Sequence, residues 1–280
     1  MEHTRDRASD ARWIIFLCLL GALFLIPIVL VLLNSFKSRL YISGTPFALP
    51  NRETFVGLEN YLTGLKTAGF AAAFGRSVFI TVGAVALIVL GTSMTAWYLA
   101  RVRTRISRVL YYLFVFSMIV PFQMVMFPLT YIVGQIGFDT VPGIVPVYLG
   151  FGAGLSVFLF TGFAEGIPLE IEEAATIDGA SAIVCYFRVI LPILRPTAIT
   201  VAVLNAMWIW NDYLLPYLVL GTRLKTVPVT IQIAMQGAYG ATDYGGLMAM
   251  LVLAILPIIA FYAVSQKYII KGVVAGAVKG

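Results

Sequence analysis

Residues 13–33 read WIIFLCLLGALFLIPIVLVLL and contain no charged side chain. A helix needs about 20 apolar residues to cross the hydrocarbon core of a bilayer. A secretory signal peptide fits poorly, because the run is too long for one and has no small-residue cleavage site. Acidic residues also stand among the arginines that precede it. We therefore expect an uncleaved membrane helix here.

Five further apolar runs of similar length follow the first one. The chain is 60% apolar and only 11% charged, with a mean hydropathy of +0.95, whereas soluble domains are about 25% charged. Helices satisfy every backbone polar group within lipid. The sequence therefore predicts an all-α, polytopic membrane protein with six transmembrane helices. The five later runs are 77–100, 109–133, 140–164, 196–221, which contains the single charge Asp212, and 244–266.

The distribution of lysine and arginine predicts the orientation, since these residues are enriched in cytoplasmic segments. With the N-terminus in the cytoplasm, the inside segments hold 12 of the 19 basic residues and the outside segments hold seven. The short loop 101–108 alone carries four arginines. Both termini are therefore expected in the cytoplasm. The net charge of +6 is explained by this excess rather than by nucleic-acid binding.

The segment 165–195, between the fourth and fifth runs, carries five of the 13 acidic residues of the chain and shows the signals of helix ends. Pro168 suits a first helical position, and acids after it meet the positive end of a helix dipole. Gly179 stands where a glycine would end the helix, with positive φ. The pattern predicts a short helix, a turn and a second helix over about 180–191 on the cytoplasmic face. An amphipathic helix lying on lipid is disfavoured, because acids repel anionic headgroups.

This segment resembles the EAA signature of ABC importer permeases. The matching residues are Glu173-Ala174-Ala175, Gly179, Val189 in place of the usual isoleucine, and Leu191-Pro192. The resemblance to carbohydrate-uptake permeases of the maltose type extends along nearly the whole chain. It includes residues 57–61 (GLENY), 210–212 (WND), 242–245 (TDYG) and the tail 266–280.

The resemblance implies a bacterial inner-membrane protein that forms half of a pore with a second permease. In that family the loop is a coupling helix that seats in a cleft of an ATPase subunit. The implied coupling residues are Glu173, Ala174, Ala175, Gly179, Leu191 and Pro192. The implied partners are two ATPase subunits, which bind ATP and Mg²⁺, an extracytoplasmic binding protein, membrane lipid and a sugar or related solute. The expected organisation is a cytoplasmic tail at 1–12 and a single permease domain at 13–280.

The sequence offers little material for catalysis. It contains no Gly-Lys pair, hence no Walker-type phosphate loop, and its only histidine is His3. Cys18 and Cys185 have neither metal-ligand spacing nor a shared compartment, so no cofactor or disulfide is expected in this chain. We therefore expect a non-catalytic pore subunit. An ion-gradient-driven secondary transporter is the alternative, although such proteins usually carry several ionisable residues within the membrane.

The fifth run holds a candidate solute pathway. Asn205, Trp208 and Asp212 lie at i, i+3 and i+7 and so share one helical face, with Asn211 beside them. Because an ionised aspartate facing lipid is costly, this face should look into protein or a wet cavity. Aromatic rings and amides suit a sugar there. Alternatively, Asp212 lies near the outer interface and bonds a neighbouring helix, with the tryptophans as interface anchors.

Overall fold

The computed structural model describes residues 7–67, 69–236 and 242–277, and within them the chain is built from helices. A single isolated antiparallel bridge joins Lys37 and Phe55. The predicted all-α class is confirmed. The helices are α1 (Arg7–Ser35), α2 (Arg39–Ile42), α3 (Glu59–Thr67), α4 (Phe70–Arg101), α5 (Arg105–Ser117), α6 (Phe122–Gln135), α7 (Ile144–Ala164), α8 (Leu169–Ile177), α9 (Ala182–Cys185), a π-helix (Tyr186–Ile190), α10 (Leu191–Ile193), α11 (Arg195–Asn211), α12 (Leu214–Leu220), α13 (Val227–Gln236) and α14 (Tyr244–Ala277).

Four of the described helices are long and apolar enough to cross a membrane: Ala11–Ser35, Phe70–Arg101, Ile144–Ala164 and Tyr244–Gln266. Two further helix pairs pass the same test together but are bent, by 105° between α5 and α6 and by 76° between Ala182–Ile193 and α11. The described chain thus offers four spans, or up to six if each bent pair counts as one. Six remains a prediction.

Two of the predicted runs are not the continuous helices that their composition suggested. The run 109–133 is interrupted between Ser117 and Phe122, where Pro121 supplies no backbone donor. The run 196–221 is interrupted at Asp212, whose carboxylate accepts the backbone N–H of Leu214 at 3.0 Å and so caps the start of α12.

The described residues fall into two compact units. The first takes in residues 7–67, 69–71, 230–236 and 242–256, and the second residues 72–229 and 257–277. The single permease domain over 13–280 stays a prediction.

In the first unit, Asn60 joins two of the segments that carried the family resemblance. Its side-chain amide donates to the backbone oxygens of Ser35 and Lys37, both at 2.8 Å. Gly245 packs against the same side chain so closely that a Cβ there would overlap the Asn60 amide. The segments 57–61 and 242–245 therefore meet at a buried asparagine.

The second unit is organised around α7. Ten of its 21 residues are buried, and the side chains of Tyr148, Val157 and Phe160 are fully inaccessible to solvent. A Cβ at Gly154 would lie 2.7 Å from the backbone oxygen of Phe114 on α5, and one at Gly152 would lie 2.7 Å from Asn205 Oδ1 on α11. These two glycines therefore allow close helix packing.

Candidate functional site

The predicted coupling segment forms a separate short helix, α8, with a glycine stop. Pro168 lies one residue before the helix rather than at its first position, and Glu170 and Glu172 follow in the first turn. After Asp178, Gly179 has φ +83° and donates to Thr176 O, while Ala180 N donates to Ala175 O, both at 3.0 Å. This pair of bonds is a Schellman motif, which requires the left-handed residue that glycine supplies.

The second helix of the segment begins at Ala182, after the N-cap Ser181, and continues to Ile193. The predicted range, about 180–191 and ending at Pro192, is therefore two residues short at its C-terminal end. The helix passes Pro192 because the preceding turn is π-helical: Leu191 N donates to Tyr186 O, five residues back. A wider turn relieves the clash of a proline ring with the carbonyl four residues before it.

The predicted coupling residues lie on two different faces of this segment. Glu173, Ala174, Gly179 and Pro192 are exposed. Ala175 and Leu191 are partly buried and pack against the hydrophobic core of the second unit. At the end of α8 the side chain of Ile177 is 86% exposed. Thus α8 has an inner face that packs against the protein and an outer face with three exposed residues, Glu173, Ala174 and Ile177.

Glu172 fixes the inner face of α8 to the end of α4. Its Oε1 accepts from Arg101 Nε at 2.7 Å and from Trp97 Nε1 at 3.0 Å, and Arg101 Nη2 lies 2.7 Å from the same oxygen. Arg101 Nη2 also donates to Ile167 O at 2.9 Å, just before α8. We call Trp97, Arg101 and Glu172 the α4–α8 clamp. Glu172 is only 9% exposed, so these charge-assisted bonds compensate a largely desolvated carboxylate.

The clamp continues into the second helix of the segment. Tyr186, the first residue of the π-helix, is fully buried and its hydroxyl lies 2.6 Å from Ser93 Oγ on α4. The Tyr186 ring packs on the Trp97 ring, with centroids 5.7 Å apart. Ser93, Trp97 and Arg101 are spaced at i, i+4 and i+8 and therefore form one stripe along α4. That stripe is the sequence signal that our motif analysis missed.

Three of the four candidate solute-pathway residues, Asn205, Trp208 and Asp212, contact α7. Asn205 Nδ2 donates to Ser156 Oγ at 3.1 Å and to Val201 O at 2.9 Å. The Trp208 ring packs edge-on against Tyr148, with centroids 5.5 Å apart, and the Tyr148 hydroxyl donates to Asp212 Oδ2 at 3.0 Å. Sequence reasoning missed Tyr148 and Ser156, the two α7 residues that receive this face.

The four candidate residues differ in the exposure of their side chains and in whether their polar groups are already bonded within the protein. Asn205 is buried, and Asp212 uses one oxygen for Tyr148 and the other for backbone amides. Trp208 is 43% exposed. Asn211 is also exposed, and its side chain donates to Met207 O in its own helix.

The described residues hold no cluster of three or more His, Cys, Asp and Glu side chains that could bind a metal ion. Cys18, which is exposed, and Cys185, which is buried, are both free thiols.

Replacing Arg101 by leucine should destabilise the protein, because the Glu172 carboxylate would remain largely buried without its charged partner. We expect a loss of about 2–3 kcal/mol in the free energy of unfolding, read as a lower thermal midpoint in detergent. Arg105→Leu, an exposed arginine four residues away, is the matched control and should change little. Equal midpoints for the two variants would contradict the clamp.

Comparison with known proteins supports the same fold. A solved structure of a bacterial ABC transporter involved in the import of the acidic polysaccharide alginate matches with a TM-score of 0.79, covering 96% of this chain and 99% of that chain at 23% identity. A second structure, of the alginate transporter in complex with alginate pentasaccharide-bound periplasmic protein, matches with a TM-score of 0.65 at 13% identity and covers 92% and 94% of the two chains.

Curated relatives are similar over nearly the full length. The chain is 41% identical over 261 residues to the probable starch degradation products transport system permease protein of Thermoanaerobacterium thermosulfurigenes, covering 93% of both chains. It is 34% identical over 264 residues to the multiple sugar-binding transport system permease protein of Streptococcus mutans, covering 92% of this chain and 93% of that one. Residues 88–274 match the family described as binding-protein-dependent transport system inner membrane component. The chain therefore belongs to this family of inner-membrane transport components.

Proposed function

We propose that this chain is a pore-forming permease subunit of an ATP-driven importer, and that its solute is a sugar delivered by an extracytoplasmic binding protein. Family membership supports the transport role. The names of the relatives, which refer to starch degradation products and to multiple sugars, support a sugar. One solved structure of the same fold is a complex with a periplasmic protein that holds an oligosaccharide, which supports the binding-protein partner.

The observation that carries the proposal is the two-faced helix α8. Its outer face exposes Glu173, Ala174 and Ile177, while its inner face is bonded to α4 through the clamp. A small residue allows close approach of another protein, an exposed isoleucine is stabilised by burial, and an acid pairs with a basic group. Such a helix suits docking into a cleft of an ATPase subunit.

The clamp gives this docking a mechanical consequence. A helix that moved with the ATPase would carry Glu172 with it, and Arg101 and Trp97 would move the end of α4 in turn. The chain itself supplies no group for ATP hydrolysis in this proposal. Two ATPase subunits bind ATP and Mg²⁺, and a second permease completes the pore.

The clamp also bears on the proposed orientation. Because Arg101 bonds Glu172, the arginine-rich connection 101–108 and α8 lie at the same end of the second unit. A single orientation therefore puts both the basic loop and the ATPase-docking helix in the cytoplasm, and the distribution of lysine and arginine separately predicts both termini on that side. This agreement of charge distribution and docking face supports the predicted topology of the inner-membrane protein.

The proposed solute pathway uses the accessible part of the α11 face. The half-exposed Trp208 ring offers an apolar surface to the C–H face of a sugar, and Asn211 offers an amide to its hydroxyls. Asn205 and Asp212, which bond Ser156 and Tyr148, hold this face against α7 rather than reach the solute.

Two substitutions in α8 and its stop should abolish uptake while leaving the protein in the membrane. Gly179→Leu places a side chain at φ +83°, at a local cost on the order of 1 kcal/mol. Its Cβ meets no atom within 4 Å, so the core is unaffected. Glu173→Lys reverses the charge of the outer face. The measurement is ATP-dependent sugar uptake, normalised to the amount of protein in the membrane.

The matched controls are Gly162→Ala, a helical glycine that also has open space around its Cβ position, and Glu53→Lys, a charge reversal at an exposed position of the first unit. Both should transport normally. Normal uptake by Gly179→Leu and Glu173→Lys, with the ATPase subunit still co-purifying, would rule out the coupling role.

Trp208→Ala should raise the apparent KM for the sugar about fivefold, equivalent to roughly 1 kcal/mol of ring contact. Asp212→Asn and Asn205→Ala should act mainly on the yield of assembled transporter, since they loosen the contacts with α7. Trp13→Ala, an exposed tryptophan of α1, is the control. An unchanged KM for Trp208→Ala in well-assembled protein would leave this face a purely structural role.

A further inference from the structure

A polar cleft of about 350 Å³ lies between the end of α4, the connection to α5, and α7. Its polar lining consists of Arg103, Arg108, Tyr111, Thr161 and Glu165, together with the N-cap Thr104 and Ser107. None of these side chains belongs to the α4–α8 clamp or to the α11 face. The cleft is therefore separate from the residues assigned to coupling and to the solute.

Thr161 indicates that the cleft takes a ligand. Its side chain lies in α7, is only 6% exposed, and its Oγ1 has no hydrogen-bond partner among the described residues. Thr92, Thr95 and Thr130 each donate to the carbonyl four residues earlier, as helical threonines commonly do. Thr230 in α13 is buried without a partner in the described part of the chain, as Thr161 is, but of the two only Thr161 lines this cleft. A buried hydroxyl without a partner is costly, so one that lines a cleft is suited to bond a group that enters it.

The charges of the cleft favour an anion. Arg103 and Arg108 are exposed, and neither forms an ion pair with any residue in the described ranges. By contrast, Arg101, two residues before Arg103, forms an ion pair with Glu172. Glu165 contributes one negative charge, which leaves the cleft with a net charge of about +1 at neutral pH. The start of α5, at the rim of the cleft, adds the positive end of a helix.

The position of the cleft corresponds to the headgroup level of a membrane. Both α4 and α7 are long and apolar enough to span a bilayer, and the cleft is at the end of each. Leu99 and Val102 form its apolar wall. Along α5, directly beyond the cleft, Ile106, Val109 and Leu113 are exposed apolar side chains against which acyl chains could lie.

We propose that this cleft binds the phosphate of a membrane phospholipid, with Arg103 and Arg108 pairing with the phosphate and Thr161 donating its hydroxyl to it. A phosphodiester carries one negative charge and matches the net charge of the cleft. A free phosphate or a phosphate monoester carries about −1.5 to −2 and matches it less well. The cleft shares no residue with the α4–α8 clamp or the α11 face, so its failure to bind lipid would leave the transport proposal intact.

The test is lipid binding by the assembled transporter in detergent, after the native lipid has been removed. Titration with dihexanoyl phosphatidylglycerol, followed by thermal unfolding and by native mass spectrometry, should show one tightly retained lipid. Arg103→Gln/Arg108→Gln should weaken this binding at least tenfold. Arg105→Gln, in the same loop but outside the cleft lining, should change it less than twofold.

The variant Thr161→Val distinguishes lipid binding by the hydroxyl from a purely structural role, because the two roles predict different changes in thermal stability. Without lipid the variant should be as stable as the wild type or more so, because it removes an unsatisfied buried hydroxyl. With phosphatidylglycerol it should gain less thermal stability than the wild type. Thr130→Val, whose hydroxyl is bonded to Met126 O, is the control and should gain as much as the wild type.

Two results would overturn the proposal. One is phosphatidylglycerol retention that is the same in the wild type, Thr161→Val and the double arginine variant. The other is stabilisation by inorganic phosphate at concentrations where phosphatidylglycerol has no effect, which would assign the cleft to a soluble anion instead of a lipid.

Discussion

The carboxylate of Glu172 lies almost out of reach of water, and one of its oxygens is held by the guanidinium of Arg101 and the indole N–H of Trp97. A carboxylate in that position must be paired, because an isolated buried charge costs several kcal/mol. The pairing therefore fixes α8 to the end of α4, and with α8 fixed in this way its other face is directed outward. This pairing, together with the packing of Ala175 on the core, separates a held face of α8 from a free one, and the proposed coupling role depends on that separation.

The arginine-rich connection between α4 and α5 serves two purposes. Arg101 points into the protein and bonds Glu172 and Ile167 O, whereas Arg103 and Arg108 line the polar cleft beside it. Lysine would serve less well in the clamp, because guanidinium can donate from Nε and Nη2 at once in a fixed geometry. The membrane orientation of the chain would by itself explain the many arginines of this connection. The structure adds separate local contacts for the individual arginines.

Local signals predicted the all-α class and the two helices of residues 165–195, whereas contacts between distant residues were not predictable in the same way. The stop of α8 at Gly179 follows from local chemistry, and the observed φ agrees with it. The bond between Arg101 and Glu172 joins residues 71 positions apart, which no motif spacing encodes. The break at Asp212 was missed for a related reason. Its carboxylate caps α12 and accepts from Tyr148, and these contacts are not visible in the sequence. From the sequence alone, Asp212 is therefore predicted to be a charged residue inside a continuous helix.

The energy source of transport distinguishes an ATP-coupled permease from a transporter driven by an ion gradient. Proteoliposomes should contain this chain with the second permease, the ATPase subunits and the sugar-loaded binding protein, and uptake should be measured with ionophores that collapse all ion gradients. We predict that uptake requires ATP and the binding protein and continues undiminished when the gradients are absent. Uptake by the chain without ATPase subunits, driven by a proton or sodium gradient and abolished by the ionophores, would contradict it and identify a secondary transporter.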